Sequence, residues 1–324
     1  MSEPAPTVAV IVVSHNGATW LPKVLTSLSR LREAPDSWRA VDVASSDGSA
    51  ELLAEAVGAE RLLRAPKGTG FGDAVRLAVD SLPRTDWLWL LHDDCAVLPH
   101  TLAGLLEVAT SADDVAVVGP KVREWPSLRR LTEVGLTITG TGARETGLET
   151  GEPDAGQHDR PRDVLAVGSA GMLVRRDVWD ELGGFDPDLP LYFDDIDFGW
   201  RVARAGYRTM TAPGGVVFHV EASRRRVRRR VAGDQPAWER RRAGLFTQLA
   251  NAGPVMVWWQ AVRLLFGSVL RVAGLLIAKD PEQAGDELLA VRSTYAHPVR
   301  LRRARQRRRL TARRSNREIR GLFP

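Results

Sequence analysis

Residues Val8–Val13 form an unbroken apolar, largely β-branched run that stops abruptly at Ser14-His15-Asn16-Gly17. A run that is apolar at every position predicts a parallel strand buried on both faces and ending in a loop. Over Trp20–Arg30 the apolar positions recur at helical spacing, and Pro22 falls in the first turn, where a missing N–H costs nothing. Arg39–Ala44 predicts a second strand, closed by Ser45-Ser46-Asp47-Gly48-Ser49. The Ser and Asp side chains there are good caps for a helix over Ala50–Val57. A short strand Arg61–Arg64 follows, then the glycine-rich turn Gly68–Gly72, a helix over Asp73–Leu82 and the apolar strand Trp87–Leu91. This β-α-β-α-β-α-β alternation predicts an α/β protein with a doubly wound, mostly parallel sheet.

Beyond the alternation the pattern is less regular. Ala116–Val122 predicts another strand, and Leu136–Gln157, rich in Gly, Thr and Glu, a loop or hairpin insertion. Val164–Val174 reads as a strand with small residues at Gly168-Ser169-Ala170-Gly171. Arg176–Leu182 reads as a helix stopped by Gly183-Gly184. A helix over Phe198–Ala205 and a last strand over Val216–Val220 complete this part.

Composition narrows the class. With 324 residues, 44% hydrophobic and 26% charged, the chain is long enough for one large domain or two ordinary ones. Global disorder and a fibrous or repeat architecture are excluded. Cys95 is the only cysteine, so there is no disulfide framework and no cysteine zinc cluster, which fits a cytosol-facing protein. The polar start, with no basic stretch ahead of a short apolar run, argues against a secretory signal. Charge is unevenly spread. Residues 221–324 carry 24 Lys and Arg against 8 Asp and Glu, a net +16, whereas residues 1–220 are at −11. The high isoelectric point therefore describes a basic tail on an acidic body.

Candidate chemistry collects at the strand ends. Ligands of a doubly wound sheet bind beyond the carboxyl ends of its strands. Ser14–Asn16, Asp42–Asp47 and His92–Asp94 all lie there. Two carboxylates and an imidazole at the end of a buried strand suit a hard divalent cation. The plainer role for them is a cap for the helix opening near Pro99 and Thr101. In Asp194-Asp195-Ile196-Asp197, like charges beside Tyr192-Phe193 would raise a carboxyl pKa towards the working range of a general base. Asp197 reads as the acid capping the next helix, which leaves Asp194 and Asp195 for chemistry. His219 becomes a metal ligand only if the fold brings it to Asp94. Gly68-Thr69-Gly70-Phe71-Gly72 lacks both the Walker spacing and the dinucleotide fingerprint, which disfavours an NTPase and a dehydrogenase.

The stretches VAVIVVSHNG, VDVASSDGS, GTGFGDAVRLAV, WLWLLHDDCAVL, VGSAGMLVRRDVWDELGGFDP, LYFDDIDFGWR and FHVEAS occur in that order between Val8 and Ser223. In them the chain resembles family 2 glycosyltransferases of the GT-A fold, most of all the actinobacterial type with a C-terminal membrane-associated region. The resemblance implies roles residue by residue. Asp42 would contact the nucleotide base, in a pocket lined by Ser14, His15 and Asn16, and Gly70 and Phe71 would close over the nucleotide. His92-Asp93-Asp94 stands in place of the DXD metal motif. Asp94 would be the metal-binding acid, His92 replaces the first aspartate, and Asp93 would serve the donor side. Asp194-Asp195 matches the acidic pair, with Asp195 as catalytic base. His219 would join the metal or the diphosphate, and Trp200 and Arg201 would support the acceptor. The implied cofactor is a divalent metal, Mn2+ or Mg2+.

On this resemblance residues 1–222 are expected to form the catalytic domain, with a nucleotide-sugar half over about 1–98 and an acceptor half over about 99–222. Residues 223–324 form a basic helical extension. Ser223–Arg230 holds six arginines and Arg300–Arg314 nine, and between them lies the apolar stretch Val255–Ala278. On a helical wheel Gln260, Arg263 and Arg271 share one arc, which predicts an interfacial amphipathic helix rather than a spanning one. An anionic membrane surface is the expected partner, on the cytoplasmic side. Nucleic acid is not, because the acidic body offers no recognition module. The expected activity is transfer of a sugar, by default from a UDP sugar, to a cell-envelope glycan or lipid-linked acceptor. A sugar nucleotidyltransferase and a catalytically silent donor-binding domain are the alternatives.

Overall fold

In the computed structural model, which describes residues 5–222 and 237–324, the alternation is realised element by element. Strands β1 (Val8–Ser14), β2 (Ser37–Val43), β3 (Leu62–Ala65) and β4 (Trp87–His92) lie parallel in the order β3-β2-β1-β4. Helices α1 (Leu21–Leu28), α2 (Ser49–Val57) and α3 (Phe71–Ser81) connect them. The unbroken apolar runs are explained by burial on both faces. Val8, Val10 and Val12 pack with Leu21, Val24 and Leu28 of α1, while Ala9 and Ile11 pack with Ala74, Val75 and Ala78 of α3.

After β4 the chain doubles back as β5 (Cys95–Val97), followed by α4 (Thr101–Ala109) and β6 (Val115–Glu124). Short strands follow: β7 (Leu131–Glu133), the β8 (Thr137–Ile138) and β9 (Arg144–Glu145) hairpin, β10 (Asp163–Val164) and β11 (Leu173–Arg175). Next come α5 (Arg176–Leu182), α6 (Asp194–Arg204) and the long β12 (Arg208–His219). The sheet extends as β4-β11-β6-β12-β10. Because β11 is antiparallel to both β4 and β6, those two strands point the same way, and β12 runs parallel to β6. The carboxyl ends of β4 and β12 therefore meet at one edge. β5 pairs antiparallel with the end of β12, placing Cys95 opposite His219.

Three sequence expectations are corrected here. Val164–Val174 is not one strand: β10 and β11 are its two ends, and between them Ala166 makes an isolated antiparallel bridge with Leu136. Gly171 takes φ +103°, and a Cβ on Gly168 would overlap the Glu133 carboxylate. The last strand is longer than Val216–Val220. It starts at Arg208 and carries a register shift between Ala212 and Val216, where Pro213-Gly214-Gly215 breaks the apolar pattern. Asp197 is not the N-cap: the residue entering α6 is Phe193, at φ +63°, which makes no side-chain capping bond, and Asp197 stands within the first turn.

Helices α7 (Ala237–Asn251), α8 (Met256–Ile277), α9 (Pro281–Tyr295) and α10 (Pro298–Thr311) follow. They are not a detached tail. Ala243, Phe246, Ala250 and Ala304 share one core with Leu136, Phe193, Ile196 and Trp200. Nor are the arginines of Arg300–Arg314 uniformly solvated. Arg308 is buried, and Arg305 donates to the carbonyls of Leu249, Ala252 and Gly253. The run Ser223–Arg230 lies outside the described residues.

Candidate active site

The loops after β1 and β2 are sewn together by backbone donors. The N–H groups of Asn16, Gly17 and Ala18 donate to Ser45 Oγ (2.9 Å), Ser49 Oγ (2.8 Å) and Asp47 Oδ2 (3.0 Å). Ser46 N–H returns a bond to Asn16 Oδ1, and His15 Nδ1 lies 2.6 Å from the Val43 carbonyl. Asn16 and Ala44 are held at φ +52° and +47°, and Glu221 after β12 at +55°. Residues with side chains rarely take this conformation, and it clusters at functional sites. Asp42, 2% exposed, accepts from Ser45 N–H through Oδ2, while its Oδ1 has no partner among the described residues.

Asp93 and Asp94 are both buried and do different things. Asp93 Oδ2 accepts from Ser14 Oγ and His15 N–H, each at 2.9 Å. A Cβ on Gly17 would overlap this carboxylate, which is why the loop needs glycine there. Asp94 faces β12: His219 Nε2 lies 3.1 Å from its Oδ1, and Ala222 N–H donates to its Oδ2 at 2.9 Å. His92 and His219 meet edge to face at 5.4 Å, and Phe71 lies 4.6 Å from the His92 ring. One ligand atom each from His92, Asp94, Cys95 and His219 falls within 4.8 Å of the others. Burial alone would lower the His219 pKa, but Cys95 and Asp94 beside it raise it well above the usual imidazole value.

The acidic pair opens α6. Asp194 is 4% exposed, and burial together with the neighbouring Asp195 charge pushes its pKa up to about 8. Asp195 is half-buried and also raised by burial, with Arg144 opposing that rise. Asp197, fully buried, is held below the usual carboxylate range because Arg308 and Arg201 overcome the burial penalty.

A path of side chains joins the two groups. His92 Nε2 and Ser169 Oγ share a hydrogen bond at 3.0 Å, Gly168 N–H donates to Glu133, and Arg144 pairs with Glu133 at 2.6 Å. Glu133 feels the charges of both Asp195 and His219. Ser169, Glu133, Arg144 and Cys95 are not among the site residues expected from the sequence. Glu133 and Arg144 lie in poorly patterned segments, whereas Gly168-Ser169-Ala170-Gly171 carried a signal in its small residues.

The fold thus gathers Ser14, His15, Asn16, Asp42 and Asp93 in one cluster of loops and Phe71, His92, Asp94 and His219 in another, while Asp195 is connected to them through the charges of Arg144 and Glu133. Gly70 belongs to the same edge: Phe71 N–H donates to the Pro190 carbonyl, and a Cβ on Gly70 would meet Pro190. Trp200 and Arg201 are not brought to it. Trp200 Nε1 donates to Asn316 and its ring meets Phe323 at 4.7 Å, while Arg201 donates to Asp197, Leu182 and Gly184. Both are buried, because their face of α6 packs against the loop before α6 and the C-terminal segment.

Comparison with known proteins bears on the fold and the family. The chain is 26% identical over 241 residues to the N-acetylglucosaminyl-diphospho-decaprenol L-rhamnosyltransferase of Mycobacterium tuberculosis (strain CDC 1551 / Oshkosh), covering 66% of this chain and 76% of the relative. The crystal structure of GalNAc-T7 with UDP, GalNAc and Mn2+ matches with TM-score 0.55 and 16% identity over 75% of this chain and 48% of that one. The mannosyltransferase PcManGT from Pyrobaculum calidifontis, in complex with GDP-Man and Mn2+, matches with TM-score 0.51 and 18% identity, covering 91% of this chain and 76% of that one. The fold is GT-A. The glycosyltransferase-like family 2 model matches residues 4–232. The chain therefore belongs to glycosyltransferase-like family 2 and is a glycosyltransferase.

Proposed function

We propose that the protein is an inverting glycosyltransferase that moves a sugar from a nucleotide-sugar donor, by default a UDP sugar, to a hydroxyl of a cell-envelope glycan or lipid-linked acceptor. The observation that carries this reading is the His92–Asp94–His219 cluster at the joined ends of β4 and β12, linked through Ser169, Gly168, Glu133 and Arg144 to the neighbourhood of Asp195. The diphospho-decaprenol in the name of the mycobacterial relative supports a lipid-linked acceptor.

Each residue then has a physical task. A buried carboxylate oxygen without a partner is costly, and an N–H of a nucleobase would satisfy Asp42 Oδ1. Ser14, His15 and Asn16 line that pocket, Asp93 fixes their loop, and Gly70 and Phe71 close over the nucleotide. Asp94, His92 and His219 supply a carboxylate and two imidazoles, a set that fits a divalent ion such as Mn2+ better than Mg2+. Bound there, such an ion would neutralise charge on the leaving diphosphate. Asp194 and Asp195 share a proton. Asp194 keeps it because it is the more deeply buried and lacks the help of Arg144, so Asp195 carries the charge. Asp195 removes the acceptor hydroxyl proton while that oxygen attacks the anomeric carbon. The bond from this carbon to the diphosphate oxygen breaks on the opposite face, which inverts the configuration. We assign these steps to residues 1–222, donor side about 1–98 and acceptor side about 99–222, and a supporting role to 223–324.

Incubation with a panel of nucleotide sugars, a lipid-linked acceptor and Mn2+ or Mg2+ tests the reading. Release of a nucleoside diphosphate is expected. Consumption of pyrophosphate would instead make the protein a nucleotidyltransferase, and donor-dependent thermal stabilisation without release from any donor would make it a silent binding domain.

The same reading places the enzyme peripherally on the inner face of the cell membrane. Among the described residues, Met256–Ile277 is the one helix long and apolar enough to cross a membrane. Several of its polar positions meet protein: Arg263 bonds the Gly140 carbonyl and Gln260, Ser268 is buried, and Arg271, itself exposed, pairs with Glu287. Trp258, Trp259, Val262, Phe266 and Val269 are exposed, as are Leu288 and Leu289 of α9. This pattern supports a helix lying in the membrane surface rather than through it. Arg300, Arg302 and Arg303 are exposed on α10 and would each add about 1 kcal/mol on an anionic leaflet. Flotation with anionic vesicles is expected, weakened by salt and lost in a Trp258→Glu, Phe266→Glu double variant. Equal flotation of variant and parent would remove α8 from membrane docking.

A further inference from the structure

We infer that Cys95 Sγ is an inner-sphere ligand of the divalent ion at the His92–Asp94–His219 cluster, so that the site takes borderline ions such as Co2+ or Zn2+ ahead of Mg2+. The inference rests on reading that cluster as a metal centre. It starts from the backbone: β5 pairs with β12 so that Cys95 stands directly opposite His219. Directly opposed residues of an antiparallel pair have Cβ atoms about 4.5–5.5 Å apart. The turn at Asp93-Asp94 then brings Asp94 onto the same imidazole. Sγ, an Asp94 oxygen and one nitrogen each from His92 and His219 consequently lie within 4.8 Å of one another. Bonds from an ion to nitrogen, oxygen or sulfur are about 2.0–2.3 Å, so two ligands on opposite sides of one ion stand up to roughly 4.6 Å apart. The four atoms come onto a common ion once side-chain rotation draws neighbouring ligands inside that limit.

The plainer role for Cys95 is that of a small core residue, and it does touch the apolar cluster on one face of the sheet. That role accounts for its burial. It does not call for a thiol next to two imidazoles and a carboxylate, where Ala or Val would fill the same space without a polar atom. Chemistry then sets the preference. Thiolate and imidazole favour borderline and soft ions, whereas Mg2+ takes oxygen ligands and keeps its waters. On binding, the thiol proton leaves to solvent, and the four protein ligands leave open positions for diphosphate oxygens.

The test is optical and does not need turnover. Untagged full-length protein is stripped with a chelator and titrated with Co2+. Because the chain has one cysteine, a thiolate-to-cobalt charge-transfer band in the near ultraviolet can arise only from Cys95. That band is expected, together with visible ligand-field bands and a shift of both when a nucleoside diphosphate is added. Mg2+ in excess should not abolish it, and Cys95→Ala should lose the near-ultraviolet band while keeping the visible ones. Visible, nucleotide-sensitive bands in the parent without the near-ultraviolet band would overturn the role of Cys95 and leave the metal centre standing. No cobalt bound at all would overturn both.

Discussion

Asp195→Asn should bind donor as the parent does and lose turnover by about 10²–10⁴-fold, the usual contribution of a general base. The variant keeps the shape and the hydrogen bond from Ile196 N–H to Oδ1, at 2.7 Å, and removes only the capacity to accept a proton. Thermal stabilisation by a nucleotide sugar measures the first half, and nucleoside diphosphate release in the presence of acceptor the second. Turnover within a few-fold of the parent would remove Asp195 from the chemistry. The neighbouring acid gives the converse result. Asp194→Asn puts a neutral group where the protonated Asp194 stands, so Asp195, raised by its own burial, ionises as in the parent. The acidic limb of the rate profile should then keep its place while turnover survives. What the variant should lose is the upper step of the pair, near the value of about 8 that Asp194 reaches.

The same shift has a stability side with a definite sign. A carboxyl raised in the folded state holds a proton that the unfolded chain releases above about pH 4. Between there and about pH 8 the folded state binds more protons, so this group lowers stability as pH rises, by about 1.4 kcal/mol per pH unit. Above the folded value the penalty is constant. Asp194→Asn should therefore unfold at higher denaturant than the parent at pH 8, and differ little at pH 4.

How much of this was legible in the sequence follows from which forces act locally. The runs Val8–Val13 of β1 and Trp87–Leu91 of β4 are apolar at every position because both faces of the sheet are covered there, and that pattern survives in the one-dimensional chain. The turn residues Ser14–Asn16 and His92–Asp94 stand at strand ends by necessity, so their place in the site could be read off the alternation. The relay could not. Gly168 and Ser169 sit in an apolar stretch that reads as a strand, and only pairing partners decide that β10 and β11 stop short of it. Glu133 and Arg144 are a charged pair made by a hairpin fold-back, which leaves no periodic trace. Trp200 and Arg201 escape the sequence for a related reason: nearness to Asp195 along the chain says nothing about which face of α6 is covered, and Trp200 is covered by Asn316 and Phe323, over a hundred residues later, while Arg201 turns to the Leu182 and Gly184 carbonyls.

The basic tail shows the same limit with a larger energetic consequence. An arginine run reads as solvated charge, yet Arg308 enters the protein. Its Nε and Nη2 lie 3.1 and 2.5 Å from Asp197 Oδ1, and its Nη1 lies 2.7 Å from Asp186 Oδ2. Arg308, Asp197 and Asp186 are each at most 5% exposed, so solvent screens them little. Removing one partner of a buried pair leaves an uncompensated charge and costs about 3–5 kcal/mol. Arg308→Met is expected at the lower end, about 3 kcal/mol, because Asp197 retains Arg201 and Asn251, and Asp186 retains Arg307. Denaturant unfolding measures it, with exposed Arg309→Met as a control that should change stability by no more than about 0.5 kcal/mol. Asp197→Asn added to Arg308→Met should cost less than the sum of the two, since the second change removes the charge that the first strands. Asp197 lies one helical turn after Asp194 on α6, so the pairing that docks α10 also fixes the helix that carries Asp194 and Asp195. Additive effects of the two changes, or an Arg308→Met protein as stable as the parent, would show that α10 is held by its apolar contacts alone and that the extension does not brace the site.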